Sequence, residues 1–345
     1  MKDIRYYISE QCGALKDILA KRKDCTRAFV KEFCGGVPQR LYLIGSGTSC
    51  NAAQAAAPFM EEVLGVEVTA HAPSQLPVIR GKNPLVVCIS QGGTSTNILR
   101  AIEELKGRRV LALTGREQCR VNEVCESHVL LDCGEEVTGP KTKGYTCTIL
   151  TLYLMAMEAA LARGLLSEAA YEEMISALTA CFDRLPEDVA KAEAQVNANA
   201  RWLMDTKHFL IVGKGQAAMA ARECVIKLVE TMLTPSMAYE FEEYLHGPVS
   251  MIDPDMGGIY LLPPEDDPDY TRMKTVAQFH AERSNRVLVV APQAGTPWYT
   301  HVFSHVLPCQ MMAALLPERM GVAGRGEEVF YALDNLVDIK YGHVV

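Results

Sequence analysis

The stretch LYLIGSGTSCNAA, residues 41–53, reads as an apolar strand, a Gly-x-Gly turn and the start of an Ala-rich helix. The stretch FLIVGKGQAAMAA, residues 209–221, repeats that order later in the chain. Two further apolar runs recur in equivalent places, where PLVVCIS and RRVLALTG correspond to GIYLLPP and NRVLVVAP. The chain therefore carries one structural plan twice.

The alternation of apolar runs and helical patterns predicts the fold class. Strands that alternate with helices of about 10–15 residues indicate parallel βαβ units with helices on both faces of the sheet. We predict an α/β protein with two tandem domains, at residues 35–165 and 201–330. Residues 1–34 are predicted as an N-terminal helix, 166–200 as a helical connector and 331–345 as a tail.

Composition narrows the classes of function. The chain has 345 residues, a net charge of -8 and no block of Lys and Arg, which disfavours a nucleic-acid partner. Its twelve cysteines are scattered without a CxxC motif. We find no leader and no apolar span of 18 residues, and therefore expect a cytoplasmic protein away from membranes. HVFSHVL, residues 301–307, reads as a strand, and no metal site is expected there.

Small polar residues follow two strands of the first domain. One strand runs into GSGTS (45–49), which includes Gly47 and Thr48, and another runs into SQGGTS (90–95), which includes Thr94. Ligands of open parallel sheets bind at the carboxyl ends of the strands, and helix N-termini there offer N–H groups to anions. We predict a site for a phosphate monoester. The alternative is that the hydroxyls only cap two helices, but the second copy, GKGQAA, lacks them.

The segment EEVTGPKTKGYT, residues 135–146, supplies candidates for another wall of this pocket. Gly139 and Thr142 are the candidate lining residues. Lys141 and Lys143 could attract an anion, although exposed lysines are usually only solvated.

The second domain carries the candidates for proton transfer. Lys227 and Glu230 are three residues apart and share one helix face in an apolar stretch, where a carboxylate suits acid/base work. A surface ion pair would give the same pattern. His246 precedes Gly-Pro and follows an acidic run, Glu240, Glu242 and Glu243. The sequence leaves open which of these carboxylates orients it and whether Tyr239, Phe241 and Tyr244 line a site or a core.

These motifs together resemble a known family. Four motifs are together similar to tandem SIS (sugar isomerase) domains: GSGTS, SQGGTS, TKGYT, and KLVE followed by HGP, whose His246 lies sixteen residues after Glu230. The relatives include the isomerase half of glucosamine-6-phosphate synthase and the fructosamine (fructoselysine) 6-phosphate deglycases. The resemblance implies two flavodoxin-like domains, each with a parallel five-stranded sheet, and a homodimer with shared active sites.

The resemblance also implies roles for single residues. Glu230 would move a proton between C1 and C2 of the sugar, and Lys227 would line the site. His246 would assist ring opening, from the neighbouring subunit in the synthase, and Lys340 in the tail over the active site would match a Schiff-base lysine. The residues matched to phosphate binding are Ser49, Ser90, Gln91 and Ser95.

The sequence departs from the family at three points. Gly92 and Ser95 stand where the synthase has Ser and Thr, which leaves Thr94 as a candidate replacement donor. The tail, DNLVDIKYGHVV, also fits deglycases, whose tails need no lysine. No glutaminase domain precedes the first SIS domain, so glutamine is not expected as the nitrogen source.

We expect a ketosamine 6-phosphate deglycase that yields glucose 6-phosphate and a free amine, without cofactor or metal. A glucosamine-6-phosphate deaminase or isomerase that yields fructose 6-phosphate is the alternative. A non-catalytic sugar-phosphate sensor is a lesser alternative, since the N-terminal segment is too short for a helix-turn-helix and both Glu230 and His246 are present.

Overall fold

The structure, a computed structural model, describes residues 2–340 and divides into two compact units. The five-stranded unit comprises Glu10–Val137, Lys141–Thr179 and the chain from Val329 onward. The four-stranded unit comprises the chain up to Ser9, Thr138–Pro140 and Ala180–Glu328. The domain bounds predicted from the sequence remain predictions.

The first unit is built on a parallel sheet of five strands, β1 (Arg40–Gly45), β2 (Glu67–His71), β3 (Leu85–Ser90), β4 (Arg109–Thr114) and β5 (Ser127–Leu130). Their order in the sheet is β2-β1-β3-β4-β5, which is the flavodoxin-like order expected. Every residue of β3 is buried, as is typical of a central parallel strand covered by helices on both faces.

The second unit has a parallel sheet of four strands, β6 (His208–Gly213), β7 (Ser236–Glu240), β8 (Met256–Leu261) and β9 (Val287–Val290). Their order is β7-β6-β8-β9, which is the order of the first sheet without its last strand. The prediction of five strands in each sheet was therefore wrong in detail for this unit, within the part of the chain that the structure describes.

The helices surround these sheets. They are α1 (Ile4–Ala20), α2 (Arg22–Cys25), α3 (Arg27–Gly35), α4 (Thr48–Leu64), α5 (Thr96–Glu104), α6 (Arg120–Val124), α7 (Lys143–Ala162), α8 (Glu168–Asp205), α9 (Gln216–Thr231), α10 (Phe241–Leu245), α11 (Tyr270–Ser284), α12 (Val302–His305), α13 (Leu307–Met320) and α14 (Arg325–Val337). Short 3₁₀ turns lie at Pro73–Gln75, Pro248–Met251 and Trp298–Thr300. The N-terminal segment is thus three helices rather than one.

The segment HVFSHVL was predicted as a strand and is helical. Residues 302–305 form α12, and α13 follows directly, with Pro308 in its first turn. Its apolar residues are buried on several sides, so the pattern of a short buried helix looked like that of a strand. Proline in a first helical turn costs no hydrogen bond, whereas in a central strand it would remove one.

Helix α7 corrects the expectation that no long apolar span exists. It has 20 residues and a mean hydropathy of 1.4, enough by length and composition to cross a membrane. However, 89% of the apolar 18-residue window in this helix is buried inside the structure. Tyr153 of α7 packs on Phe59 of α4, with ring centroids 4.2 Å apart. An all-round apolar helix of this kind is typical of a protein core.

The Gly-x-Gly turns show that the two units repeat one backbone design. Gly47 and Gly215 adopt φ of 53° and 56°, a left-handed region that favours glycine. A Cβ on Gly45 would lie 2.9 Å from the backbone of Ser49, and one on Gly213 would lie 2.5 Å from that of Ala217. Both glycines let the strand end approach the first turn of the following helix.

Candidate functional site

The two hydroxyl-rich turns lie side by side in the five-stranded unit. β1 and β3 are hydrogen-bonded neighbours, with Gly45 opposite Ile89, so both strands end at the same edge. Asn97 Nδ2, in the first turn of α5, donates to Ser46 Oγ at 2.8 Å and joins the turns directly. The structure thus brings together the two clusters singled out in the sequence.

Ser95 precedes α5 but does not cap it. Its hydroxyl makes no capping bond to the helix, and instead lies 3.1 Å from the hydroxyl of Ser90 at the end of β3. Ser90 is buried and Ser95 is half-buried. At this turn the described contacts therefore do not support the alternative in which the hydroxyl serves only as a helix cap.

Gly93 shapes the turn between these serines. Its φ is +70°, and a Cβ at this position would lie 2.3 Å from Cys119 Sγ. Its N–H donates to the carbonyl of Ser90 at 3.0 Å, which closes the turn. Backbone conformation and the sulfur of Cys119 both require glycine here, which the sequence pattern alone did not reveal.

Gln91 points to α7. Its Nε2 donates to Thr148 Oγ1 at 3.1 Å, and a Cβ on Gly144 would lie 2.6 Å from Gln91 Oε1. Thr148 was not singled out from the sequence. The amide of Gln91 is therefore fixed against the first turns of α7, the helix that follows the third candidate segment.

A carboxylate caps the N-terminus of α7. Glu136 accepts hydrogen bonds from the backbone N–H groups of Thr142, Lys143 and Gly144 at 2.8, 3.2 and 2.8 Å, and from the Thr142 hydroxyl at 3.0 Å. Thr142 was predicted to line the substrate pocket, and that role stays a prediction. The carboxylate complements the positive end of the helix dipole.

The other residues predicted in this segment also have partners. Lys143 is 3% exposed and pairs with Glu10 at 2.6 Å, so the expectation that it is a solvated lysine was wrong. Lys141 Nζ donates to the Glu136 carbonyl at 2.5 Å. Gly139 belongs to the four-stranded unit, where its N–H donates to Glu327 Oε1 at 2.6 Å. Its predicted lining role is likewise untested.

The tail reaches the phosphate-site candidates of its own unit. Lys340 pairs with Ser95 in an isolated antiparallel bridge, and the N–H of Thr96 donates to the carbonyl of Ile339 at 3.1 Å. The buried carboxylate of Asp334 accepts the N–H of Lys340 at 2.8 Å. Lys340 Nζ lies 5.0 Å from the ring centroid of Phe330. The predicted tail residues 341–345 lie outside the described residues.

Lys227 and Glu230 form an ion pair on α9 in the four-stranded unit. Lys227 Nζ lies 3.0 Å from Glu230 Oε2 and 3.3 Å from Glu223 Oε1. Lys227 and Glu223 are each 1% exposed, whereas the Glu230 side chain is 43% exposed. Burial lowers the pKa of Lys227, but the two carboxylates outweigh it and the net pKa is raised.

This geometry corrects two expectations about the pair. The pair is not a surface ion pair, because the Lys227 ammonium is buried. Glu230 does not lie in apolar surroundings, because its carboxylate is partly exposed to solvent and pairs with Lys227. Glu223 was missed, although its i,i+4 spacing to Lys227 is visible in the sequence. The buried Lys227 ammonium therefore holds the Glu230 carboxylate on this face of α9.

His246 ends the short helix α10 and is exposed. Its backbone N–H donates to the carbonyl of Glu243 at 3.2 Å, and its imidazole has no hydrogen-bond partner among the described residues. Glu240 caps α10 by accepting from the N–H groups of Glu242 and Glu243. Glu242 pairs with Arg272. None of the three carboxylates therefore contacts the imidazole within the described part of this unit.

The aromatic residues near His246 belong to a core. Phe241 and Tyr244 are fully buried, and Tyr239 packs against the same cluster. The question left open by the sequence is thus answered in favour of packing.

Lys214 occupies the turn of the second copy that corresponds to Ser46. Its Nζ lies 2.7 Å from Asp267 Oδ1 and 2.8 Å from Asp269 Oδ2, and these carboxylates raise its pKa. The turn of the first copy carries hydroxyl groups, whereas the turn of the second copy carries an ammonium group paired with two carboxylates.

Known proteins are similar to this chain in sequence. Residues 37–162 match the model of the SIS domain. The glutamine–fructose-6-phosphate aminotransferase (isomerizing) of Gloeobacter violaceus is 25% identical over 318 residues, which cover 90% of this chain and 52% of that protein. The chain therefore spans about half the length of the curated relatives it matches.

Solved structures agree on the fold. A candidate phosphosugar isomerase from Clostridium difficile 630 superposes with a TM-score of 0.85 at 24% identity, covering 93% of this chain and 94% of the other. The C-terminal domain of glucosamine-fructose-6-phosphate aminotransferase from Francisella tularensis superposes with a TM-score of 0.82 at 17% identity, covering 93% and 97%. Residues 37–162 are therefore an SIS domain, in a chain homologous to the isomerase half of the glutamine–fructose-6-phosphate aminotransferases.

Proposed function

We propose that this protein is a ketosamine 6-phosphate deglycase, which releases glucose 6-phosphate and a free amine. The observation that carries the proposal is the Lys227–Glu230 pair, in which a buried ammonium 3.0 Å from Glu230 Oε2 holds an accessible carboxylate in one orientation. A positioned carboxylate of this kind is what proton transfer between adjacent carbons requires.

The reaction needs few groups. Glu230 takes a proton from C1 of the ketosamine, which gives the 1,2-enaminol. Return of the proton to C2 leaves an imine at C1, and water hydrolyses it to the aldehyde and the amine. We propose that the phosphate is held by backbone N–H groups and hydroxyls of the turns at 45–49 and 90–95, with Ser49, Ser90 and Ser95 as donors.

The second candidate is glucosamine-6-phosphate deaminase. Here His246 opens the ring, Glu230 moves the proton from C2 to C1, and hydrolysis of the C2 imine releases ammonia and fructose 6-phosphate. The position of Lys340 favours a role for the tail in either reaction, because its backbone bridges Ser95 of the phosphate-site turn. A Schiff base through Lys340 belongs to this second candidate alone.

Product detection by NMR tests both candidates. Fructoselysine 6-phosphate and glucosamine 6-phosphate are incubated separately with the protein. Glucose 6-phosphate from the first substrate alone supports the deglycase, and fructose 6-phosphate with ammonia from the second alone supports the deaminase. Binding of both without turnover would instead make the protein a sugar-phosphate sensor. Glu230→Gln should abolish turnover while binding persists, and a Glu230→Gln protein that still turns over substrate contradicts the mechanism.

We also propose that the protein is a cytoplasmic homodimer in which His246 serves the active site of the neighbouring subunit. Its exposed imidazole, without a partner in its own described chain, supports this assignment. The twelve free cysteines fit a reducing compartment.

Complementation tests the shared site. Refolding equal amounts of Glu230→Gln and His246→Asn proteins together should restore about a quarter of the wild-type activity, because half of the dimers then carry one intact site of two. If each active site lies within a single subunit, the mixture of the two variants should recover no activity, and the shared site is refuted.

A further inference from the structure

A chain of buried polar groups runs through the core of the four-stranded unit. The hydroxyls of Tyr244 and Tyr260 lie 3.2 Å apart, and Tyr260 Oη lies 3.1 Å from His280 Nδ1. His280 Nε2 lies 3.3 Å from the carbonyl oxygen of Met256. The side chains of Tyr244, Tyr260 and His280 are all fully buried.

The last acceptor fixes the direction of every bond in this chain. The Met256 carbonyl can only accept, so His280 Nε2 carries the hydrogen and donates it. Nδ1 of the neutral imidazole then accepts from the Tyr260 hydroxyl, and the Tyr260 oxygen accepts from the Tyr244 hydroxyl. Burial lowers the pKa of His280 and keeps the imidazole neutral near pH 7.

The strand beside the imidazole is shaped to receive it. A Cβ on Gly258, in the middle of β8, would lie 2.5 Å from His280 Nδ1. Glycine inside a strand weakens the strand, and it commonly marks a place where another group approaches closely. The recess and the three aligned hydrogen bonds make this a specific arrangement rather than a chance contact.

The chain of bonds ends on the helix that carries His246. Helix α10 has only five residues, too few to be stable alone, so its orientation depends on what its side chains contact. Tyr244 lies two residues before His246, and its hydroxyl is the first member of this series of hydrogen bonds. We propose that Tyr244, Tyr260 and His280 are positioning residues that set the orientation of α10 and thereby of the His246 imidazole. Their effect on turnover rests on the proposed function, but their effect on His246 does not.

NMR of the full chain labelled at histidine gives a direct test. The ring signal of His246 is identified among the eight histidines by its loss in His246→Asn. Tyr244→Phe removes one hydroxyl and keeps the ring. Tyr239→Phe is the matched control, because its ring lies 6.2 Å from that of Tyr244 while its hydroxyl contacts Met237 Sδ, outside the chain of bonds.

Tyr244→Phe should move the His246 signal and lower kcat about tenfold with KM within about twofold, and Tyr239→Phe should do neither. His280→Asn changes the member of the hydrogen-bonded series that lies farthest from His246, on α11. This variant should also move the His246 signal, even where Tyr244→Phe folds poorly. A His246 signal unchanged in both variants, or moved equally by Tyr239→Phe, overturns the inference. Absence of turnover in the wild type would contradict the proposed function, and the NMR comparison would still decide the positioning role.

Discussion

Replacing Lys227 with Met tests whether the buried ammonium organises the acid/base pair. Methionine keeps much of the volume of the side chain and removes its charge. The variant removes the ammonium that lies 3.3 Å from Oε1 of Glu223, which is 1% exposed, and 3.0 Å from Oε2 of Glu230.

The two lost ion pairs differ in their expected cost. Removing one partner of a buried pair lowers the free energy of unfolding by about 3–5 kcal/mol. The pair with Glu230 adds about 0–1 kcal/mol, because a carboxylate that is 43% exposed is screened by solvent. Glu223 takes part in further interactions, so we expect the lower end, about 3 kcal/mol in total.

Urea unfolding followed by tryptophan fluorescence measures this loss in the relevant unit. Both tryptophans of the chain, Trp202 and Trp298, belong to the four-stranded unit that contains Lys227. Lys191→Met is the control, since its ion pair with Glu187 on α8 is exposed and its loss should leave the midpoint unchanged.

The double variant Glu223→Gln/Lys227→Met separates stability from function. It should recover about 1–3 kcal/mol of the loss, because the buried negative charge is gone as well. Turnover should stay low in it, since Glu230 still lacks the ammonium that orients its carboxylate. A loss below about 1 kcal/mol in Lys227→Met, or a double variant less stable than the single one, would refute this account of the pair.

Three further changes probe other parts of the fold. Burial lowers the pKa of His305 from about 6.5 to about 3. Its contribution to the free energy of unfolding is therefore complete above pH 6.5 and falls by about 2 kcal/mol between pH 7 and pH 5. Urea unfolding at both pH values should show this fall in the wild type and not in His305→Gln. Gly93→Ala should lower the free energy of unfolding by about 2–4 kcal/mol, measured by circular dichroism, owing to its φ of +70° and the sulfur of Cys119. Glu136→Gln should lower it by about 1–2 kcal/mol in the same assay, because the N-terminus of α7 loses a charged acceptor.

The sequence predicted the features that local patterns determine. β1 and β3 were visible because central parallel strands are continuous apolar runs, and the Gly-x-Gly turns marked where they end. The repeat predicted two α/β domains of one type, and the family resemblance implied the flavodoxin-like strand order, which the structure has in five strands of one unit and four of the other. The pairing of Lys227 with Glu230 followed from their spacing on one helix.

Features that depend on contacts between distant segments escaped prediction. Glu10 neutralises Lys143 from a different helix, and Glu136 reaches α7 through a turn whose path the sequence does not specify. The helical state of residues 302–305 was missed because burial on several sides hides the helical period. Each of these outcomes was decided by the tertiary surroundings of a residue rather than by its neighbours in the chain.

The two copies of the repeat separate what glycine does in the turn from what the turn can bind. A Cβ would lie within 3 Å of the following helix at both Gly45 and Gly213, although only the first copy carries hydroxyls. The glycines are therefore explained by backbone geometry alone and do not themselves indicate a phosphate site. The copies differ in the residues after the second glycine, where Gln216 and Ala217 replace Thr48 and Ser49, and in the residue between the glycines. Ser46 joins the neighbouring turn, whereas the charge of Lys214 is already neutralised by two carboxylates within 2.8 Å. Phosphate binding is consequently expected at the first copy only.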